Sequence, residues 1–188
     1  MRHGESTANV AGIVLSQLED GEKSDYTLTA IGEEQARRSI SEQKEAGAFD
    51  EHTLIISSPF SRTRRTAEIA KEVLGSTNDI SIDERLRERW FGNWEKTPHT
   101  AYAKVWAEDK RNPNHTIENV ESARNVQERT MNLICDLENQ YTDKRILLVS
   151  HGDTLHILLT GLLNKSSADH RAMQSLETAE IRKIEIEF

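Results

Sequence analysis

Residues 145–152 have the sequence RILLVSHG, which indicates how this chain folds. Its apolar run, 146–149, is typical of a strand that is buried on both faces of a parallel sheet. A predicted helix follows, with an apolar stripe formed by Leu155, Leu158, Leu159 and Leu162. His151 is therefore expected in a loop at the carboxyl end of a strand, where α/β sheets bind their ligands.

Other segments repeat this alternation of strand and helix. A buried strand is predicted at 53–57 (TLIIS), followed by a turn at Ser58-Pro59 and a helix that Gly75 ends. Further predicted elements are a loop at 12–26, helices from Thr29 to about 46 and from Ser122 to about 141, a short helix near 103–109, and brief strands at 80–82 and 184–188. The first of these helices is expected to turn Ile31, Ala36 and Ile40 toward the core. The alternation predicts an α/β fold with a mostly parallel sheet.

The composition limits the class of protein. A chain of 188 residues suits one domain, and 24 Lys and Arg against 32 Asp and Glu give a net charge of −8, which disfavours nucleic acid and anionic membranes. No apolar run approaches the roughly 18 residues that span a bilayer. The single cysteine, Cys135, excludes an internal disulfide and suits a reducing compartment, and its apolar neighbours predict a packed helix face. We expect a cytoplasmic protein with neither nucleic-acid nor membrane partners.

Two histidines and two arginines carry the predicted chemistry. Arg2-His3-Gly4 and His151-Gly152 each place an imidazole beside a glycine, which lets the backbone approach a ligand closely. Arg62 lies at the start of the helix predicted after Pro59, where backbone N–H groups and a guanidinium both bind anions. This set suits a tetrahedral phosphoryl group better than a metal, and neither H-x-x-x-H nor C-x-x-C occurs. No metal or other cofactor is expected.

Residues 85–90 (RLRERW) contain a candidate proton donor. If this segment is extended, its period of two places Leu86, Glu88 and Trp90 on one face and the arginines on the other. An apolar flank raises the pKa of a carboxyl group and keeps it protonated, whereas nearby arginines lower that pKa. The sequence leaves the balance between these two effects open.

Five ordered motifs that cover most of the chain carry a family resemblance. They are RHGES at 2–6, LTAIGEEQA at 28–36, SPFSRTRRTA at 58–67, LRERWFGNWE at 86–95 and SHGD at 150–153, with Asn9 after the first. Together they resemble the histidine phosphatase superfamily, in its phosphoglycerate mutase-like branch. The resemblance implies a three-layer α/β/α sandwich and hydrolysis through a phosphohistidine intermediate.

The resemblance also implies a role for each site residue. His3 matches the nucleophile, Glu88 the proton donor, and Asn9 a position near the rim of the site. The phosphate pocket is completed by Arg2, Arg62 and His151, the last as a donor that works best when protonated. A more distant branch places an aspartate after the second histidine, which makes Asp153 an alternative acid. His156 is interpreted as an ordinary helix residue.

Departures from the family pattern fall in loops. Ala8 stands where the family usually has Trp, and Lys96 stands where Gly usually follows the W-E pair. Such loops shape the substrate pocket, so the chemistry is better supported than the identity of the substrate. The polar stretch 96–119 is predicted to form a cap-like excursion within a single domain, 1–188.

Three functions are compatible with these motifs. Hydrolysis of small phosphomonoesters is favoured, because the chain is compact and lacks the cover that would exclude water during phosphoryl transfer. The alternatives are a phosphoglycerate mutase-type transfer and a non-catalytic phosphate-binding or interaction domain. The expected partner is a small phosphorylated substrate, and a homodimer stays open.

Comparison of the two histidine motifs, RHGES and VSHGDT, gives one more expectation. The second copy follows a predicted strand, whereas Met1 alone precedes Arg2. The family pattern places an apolar strand before the Arg-His-Gly, in the interior of the sheet. We therefore expect a truncated first strand, with the sequence beginning about five to eight residues late, through a misplaced start codon or an expressed fragment.

Overall fold

Three parallel strands form the centre of the computed structural model, which describes residues 1–184. They are β1 (Leu54–Ser57), β2 (Ser81–Ile82) and β3 (Ile146–Val149), in the spatial order β2-β1-β3. Ile55 is paired with Leu147 in the register of β1 and β3. The parallel alternation predicted from the sequence is confirmed for these strands, and most of the strand predicted at 184–188 lies outside the described residues.

The helices follow the predicted order closely. They are α1 (Thr7–Ala11), α2 (Leu18–Gly21), α3 (Ala30–Glu45), α4 (Ser61–Leu74), α5 (Ala101–Arg111), α6 (Ala123–Gln140) and α7 (Gly152–Leu162). Short 3-10 helices occupy Ser24–Tyr26, Glu84–Leu86, Gly92–Trp94, Ile117–Asn119 and Ser167–Ala172. Thr29 and Ser122 cap α3 and α6 through their side chains, and Gly75 ends α4 at a φ of 73°, which glycine adopts without strain. Within residues 1–184 none of these helices is long and apolar enough to cross a membrane.

The strand residues alternate between two helical layers. Ile55, Leu147 and Val149 pack in one core with α3 and α4. Ile56 and Leu148 pack on the opposite face with side chains of α6 and α7. Because successive strand residues point to opposite faces of a sheet, this alternation gives the predicted three layers, helix, sheet and helix.

Two predictions of burial are wrong. Ile31 is 62% exposed, because the buried stripe of α3 runs through Gly32, Ala36 and Ile40 at a spacing of four residues. Gly32 is needed there, since a Cβ at this position would lie 2.0 Å from the Glu5 carbonyl oxygen. Cys135 is exposed, although Ile134 beside it is buried. The predicted loop at 12–26 also contains helix α2.

The carboxyl ends of the strands bring the histidine loops together. Arg2 forms a parallel bridge with Ser150, directly after β3. The Ser150 N–H donates to the Met1 carbonyl at 3.0 Å, and the His3 N–H donates to the Ser150 carbonyl at 3.0 Å. His3 is therefore held beside the end of β3 by the same backbone ladder that continues the sheet.

Candidate active site

The ring of His3 is fixed in one tautomer. Its Nδ1 lies 2.7 Å from the Gly4 carbonyl oxygen, which only accepts hydrogen bonds, so Nδ1 carries the proton and Nε2 carries the lone pair. Arg62 donates its Nε–H to that Nε2 at 3.1 Å. Burial lowers the pKa of His3 well below 6.5, and the charges of Arg62 and Arg2 lower it further. The imidazole is therefore neutral near pH 7, with Nε2 available as a nucleophile.

Two arginines beside His3 each have a buried nitrogen without a hydrogen-bond partner in the described part of the chain. Arg62 donates from Nη2 to the Leu15 carbonyl at 3.0 Å, and Arg2 donates from Nη1 to the Leu176 carbonyl at 2.7 Å. Within the described part of the chain, Arg2 Nε and Arg62 Nη1 are buried and have no hydrogen-bond partner. An unpaired buried donor is costly, so two such donors beside one imidazole indicate a binding site for an anion.

His151 contacts Arg62 and is fully buried. Its Nδ1 accepts from Arg62 Nη2 at 3.0 Å, because a guanidinium only donates, and its Nε2–H then donates to Ser58 Oγ at 2.8 Å. Burial lowers the pKa of His151 well below 6.5, followed by the charge of Arg62. The structure thus holds a neutral His151, whereas the sequence interpretation favoured the protonated form. We call Arg2, His3, Arg62 and His151 the cradle.

Glu88 lines the same cavity as His3 and Arg62 and is only 6% exposed. Its Oε1 accepts from the Arg89 N–H at 2.9 Å and from Thr154 Oγ1 at 3.1 Å. Burial raises the pKa of Glu88, the charge of Asp153 adds to this rise, and Arg62 opposes it. In the balance that the sequence left open, burial therefore outweighs the charge of Arg62, and the net effect is a raised pKa of Glu88.

The residues around Glu88 do not alternate as an extended strand. Glu84–Leu86 is a 3-10 turn, and Arg89 is fully buried, as is Leu86. Its guanidinium forms a bidentate pair with Asp109 of α5, at 2.6 and 2.8 Å, and contacts Asp153 at 3.3 Å. The prediction that the arginines lie on the face opposite Glu88 is wrong for Arg89, because Asp109 supplies Arg89 with a buried partner that neutralises it.

Asn9 lies on the exposed lining of the cavity, as the family resemblance implied. It also belongs to a capping box at the start of α1, where its Oδ1 accepts from the Ser6 N–H at 3.0 Å. Across residues 1–184 no group of three or more His, Cys, Asp or Glu side chains is arranged to hold a metal ion. The cavity measures about 300 Å³, a volume suited to a small molecule.

The sequence matches one protein family along almost its whole length. The model of the histidine phosphatase superfamily (branch 1) matches residues 1–187. The chain belongs to the histidine phosphatase superfamily. The family and the class of enzyme predicted from the sequence motifs are confirmed.

Individual relatives include both phosphatases and mutases. The chain is 33% identical over 160 residues to the uncharacterized phosphatase PhoE of Bacillus subtilis, covering 85% of this chain and 74% of that one. It is 35% identical over 168 residues to GpmB of Escherichia coli, named a probable phosphoglycerate mutase, covering 87% of this chain and 73% of that one. These matches leave open which reaction this superfamily member favours.

Solved structures confirm the phosphoglycerate mutase-like fold. A phosphoserine phosphatase of Entamoeba histolytica, solved with 3-phosphoglyceric acid, superposes with a TM-score of 0.72 at 27% identity and covers 95% of this chain and 84% of that chain. A mycobacterial glucosyl-3-phosphoglycerate phosphatase solved with VO3 gives a TM-score of 0.77 at 24% identity, covering 95% and 87%. The second likeness concerns the fold alone.

Sequence reasoning missed the other side of this histidine phosphatase cavity. It is formed by four side chains, which we call the tryptophan wall: Tyr102, Trp106, His156 and Arg171. His156, interpreted as an ordinary helix residue, lies three residues after Asp153 on α7, and both line the cavity. Because residues three apart on a helix lie on the same face, the place of His156 could have been predicted from that of Asp153. No local pattern marked Arg171, because its place depends on contacts between distant segments.

Proposed function

We propose that the chain hydrolyses small phosphomonoesters through a phosphohistidine at His3. The observation that carries this proposal is the unprotonated Nε2 of His3, which accepts from Arg62 Nε–H and lies beside unpaired N–H groups of two arginines. Nε2 attacks phosphorus, the bond to the ester oxygen breaks, and the leaving alkoxide takes the proton of Glu88. Arg2 and Arg62 bind the phosphoryl oxygens and stabilise the charge that they carry in the transition state.

The second half of the reaction restores the enzyme. Glu88, now a carboxylate, takes a proton from water, and the resulting hydroxide attacks the phosphorus of phospho-His3. The N–P bond breaks and inorganic phosphate leaves. His151 keeps Arg62 oriented in both half-reactions, because its Nδ1 accepts from Arg62 Nη2.

A phosphoglycerate mutase-type transfer is the second candidate, because of the likeness to GpmB. Transfer to a second alcohol requires that water is kept from the phosphoenzyme. In this chain Asn9, His99 and Glu177 line the cavity and are exposed to solvent. Access of water at this rim favours hydrolysis.

We further propose a single domain, with 96–119 as a cap over the cavity, that acts in the cytoplasm. Tyr102 and Trp106 of α5 supply the cap residues that line the cavity. Asn9 lies at its rim. The homodimer stays a prediction, which the oligomeric state in solution would test.

The test is a panel of phosphomonoesters in which phosphate release is measured. For 3-phosphoglycerate, formation of 2-phosphoglycerate is followed in the same samples. We expect phosphate release that far exceeds isomerisation, and its loss in His3→Asn. His52→Asn is the matched control, since His52 is exposed and pairs only with Glu51 in the described chain. Isomerisation that outruns release would establish the mutase, and binding without either reaction would establish a non-catalytic domain.

A further inference from the structure

We propose that Arg171 is a second anion site in the cavity, which selects phosphomonoesters that carry a carboxylate. The inference rests on the proposed phosphatase activity, because it concerns the part of the substrate that leaves the cradle. Arg171 lines the same cavity as Arg2, His3 and Arg62. A substrate whose phosphoryl group lies in the cradle therefore extends into a space that contains a third arginine.

The guanidinium of Arg171 is held in place from two sides. Its Cζ lies 3.9 Å from the centroid of the Trp106 ring, a cation–π contact with the cap helix α5. Its Nη1 donates to His156 Nδ1 at 3.0 Å, and Nη2 donates to Ser175 Oγ at 3.4 Å. Trp106 is itself fixed, because its indole N–H donates to Asp153 at 2.8 Å. A long side chain that is held this way loses less entropy when it binds a ligand.

Arg171 retains both its charge and free donors. In the chain from 1 to 184, the only hydrogen bonds of the Arg171 side chain are those to His156 and Ser175, and no carboxylate lies within 4.0 Å of its guanidinium nitrogen atoms. A guanidinium has five N–H donors, so several remain for a ligand. His156 does not compete as a cation, because burial and then the charge of Arg171 lower its pKa. The cation at this wall thus lacks a counterion of its own.

The acidic groups that line the cavity do not supply a counterion for Arg171. Asp153 pairs with the buried Arg89 at 3.3 Å. Burial raises the pKa of Glu88, which favours its neutral form. Glu177 lies on the exposed part of the lining, where water screens its charge. A ligand anion is therefore the natural partner of Arg171.

The single guanidinium favours a carboxylate over a second phosphoryl group. At the cavity the cradle provides two arginines and His3 for a phosphoryl group, whereas the tryptophan wall provides one charged group, Arg171. One guanidinium matches the single charge and planar shape of a carboxylate, which it binds through two parallel N–H bonds. A cavity of about 300 Å³ limits the substrate to a small phosphorylated acid.

The test compares two esters with the same carbon skeleton, 3-phosphoglycerate and glycerol 3-phosphate, in which CH2OH replaces the carboxylate. Binding is measured by calorimetry alongside kcat and KM for phosphate release, in the full chain and in Arg171→Gln. We expect the full chain to prefer 3-phosphoglycerate. In R171Q its binding and kcat/KM fall about 10- to 100-fold, mainly through KM, as for other charge-assisted hydrogen bonds. Values for glycerol 3-phosphate change less than about threefold, within the spread of near-neutral contacts.

Lys110→Gln is the matched control. Lys110 also links α5 to the segment around Arg171, through Asp169 at 2.5 Å, but both side chains lie outside the cavity lining. We expect K110Q to leave the preference unchanged. Equal losses of both esters in R171Q, or no loss of either, would overturn the role of Arg171. Carboxylate-dependent binding without phosphate release would support Arg171 and contradict the proposed hydrolysis alone.

Discussion

The cradle and the tryptophan wall form two sides of one cavity, yet they are built in different ways. The cradle consists of side chains at the carboxyl ends of strands, where backbone hydrogen bonds such as that from His3 to Ser150 fix each loop. The tryptophan wall is assembled from α5, α7 and the 3-10 helix Ser167–Ala172, which meet only in the folded chain. The proposed chemistry of this protein therefore rests on segments that the local sequence specifies, whereas its proposed selectivity depends on tertiary contacts.

The largest effect is expected from His3→Asn, which removes the nucleophile from the cradle. Turnover should fall by at least about 10⁴-fold for every phosphomonoester, with or without a carboxylate, as for other nucleophile replacements. Phosphate release measured over the ester panel checks this. A loss confined to carboxylated esters would contradict the distinction between the cradle and the tryptophan wall, because it would give the cradle a role in selectivity.

Glu88→Gln is expected to lower kcat by about 10²- to 10⁴-fold, the usual contribution of a general acid. Reaction requires neutral His3, so kcat/KM falls as the pH drops through the lowered pKa of His3, below 6.5. It also requires protonated Glu88, so kcat/KM falls again as the pH rises through the raised pKa of Glu88, above 4.5. E88Q should keep the first limb of the pH profile and lose the second. Loss of the second limb in Asp153→Asn instead would assign the acid to Asp153.

Asp109→Asn tests how α5 is anchored to the rest of the chain, because Asp109 of α5 pairs with the buried Arg89. Leaving Arg89 without its partner should lower the free energy of unfolding by about 3–5 kcal/mol. Burial acts to raise the pKa of Asp109, but hydrogen bonds from Arg89 and His170 outweigh it and lower that pKa. The stability that ionised Asp109 contributes is fully present above pH 3.8, the pKa of this carboxyl group in the unfolded chain. It is lost as the pH falls through the lowered pKa of the folded protein. Chemical denaturation from pH 7 to acid measures it.

Asp169→Asn serves as its control. Asp169 also joins α5 to the 3-10 helix Ser167–Ala172, but its pair with Lys110 is exposed. Solvent screens such a pair, so D169N should change the unfolding curve little. A loss of stability in D169N that matched D109N would contradict the account of the buried Arg89–Asp109 pair as the contact that anchors α5.

The smallest effect is expected from Trp106→Leu, which removes the cation–π contact but leaves the charge of Arg171 in place. Binding of 3-phosphoglycerate should weaken about 2- to 5-fold, the usual range for an exposed contact of this kind. Binding of glycerol 3-phosphate should stay the same, as calorimetry can determine. Equal weakening of both esters would assign Trp106 to general packing of the cap.

The sequence predicted the cradle well and the tryptophan wall poorly, for a physical reason. A buried strand followed by a histidine and a glycine has few conformations, so His151 could be placed from its neighbours alone. The burial of Arg89 could not be predicted from its neighbours in sequence, because it depends on Asp109 in another segment. Ile31 was misassigned because Gly32, which carries no side chain, occupies the buried stripe of α3. Arg171 depends in the same way on Trp106 of α5.

Trapping of the phosphoenzyme would show whether His3 carries the phosphoryl group during turnover. E88Q should slow attack by water, so brief incubation with an isotopically labelled phosphomonoester followed by alkaline quenching should leave label on the protein. Peptide mapping by mass spectrometry should place that label on His3, and the label should be stable in base and lost in acid. Label on another residue, or label that persists in His3→Asn combined with E88Q, would contradict the account.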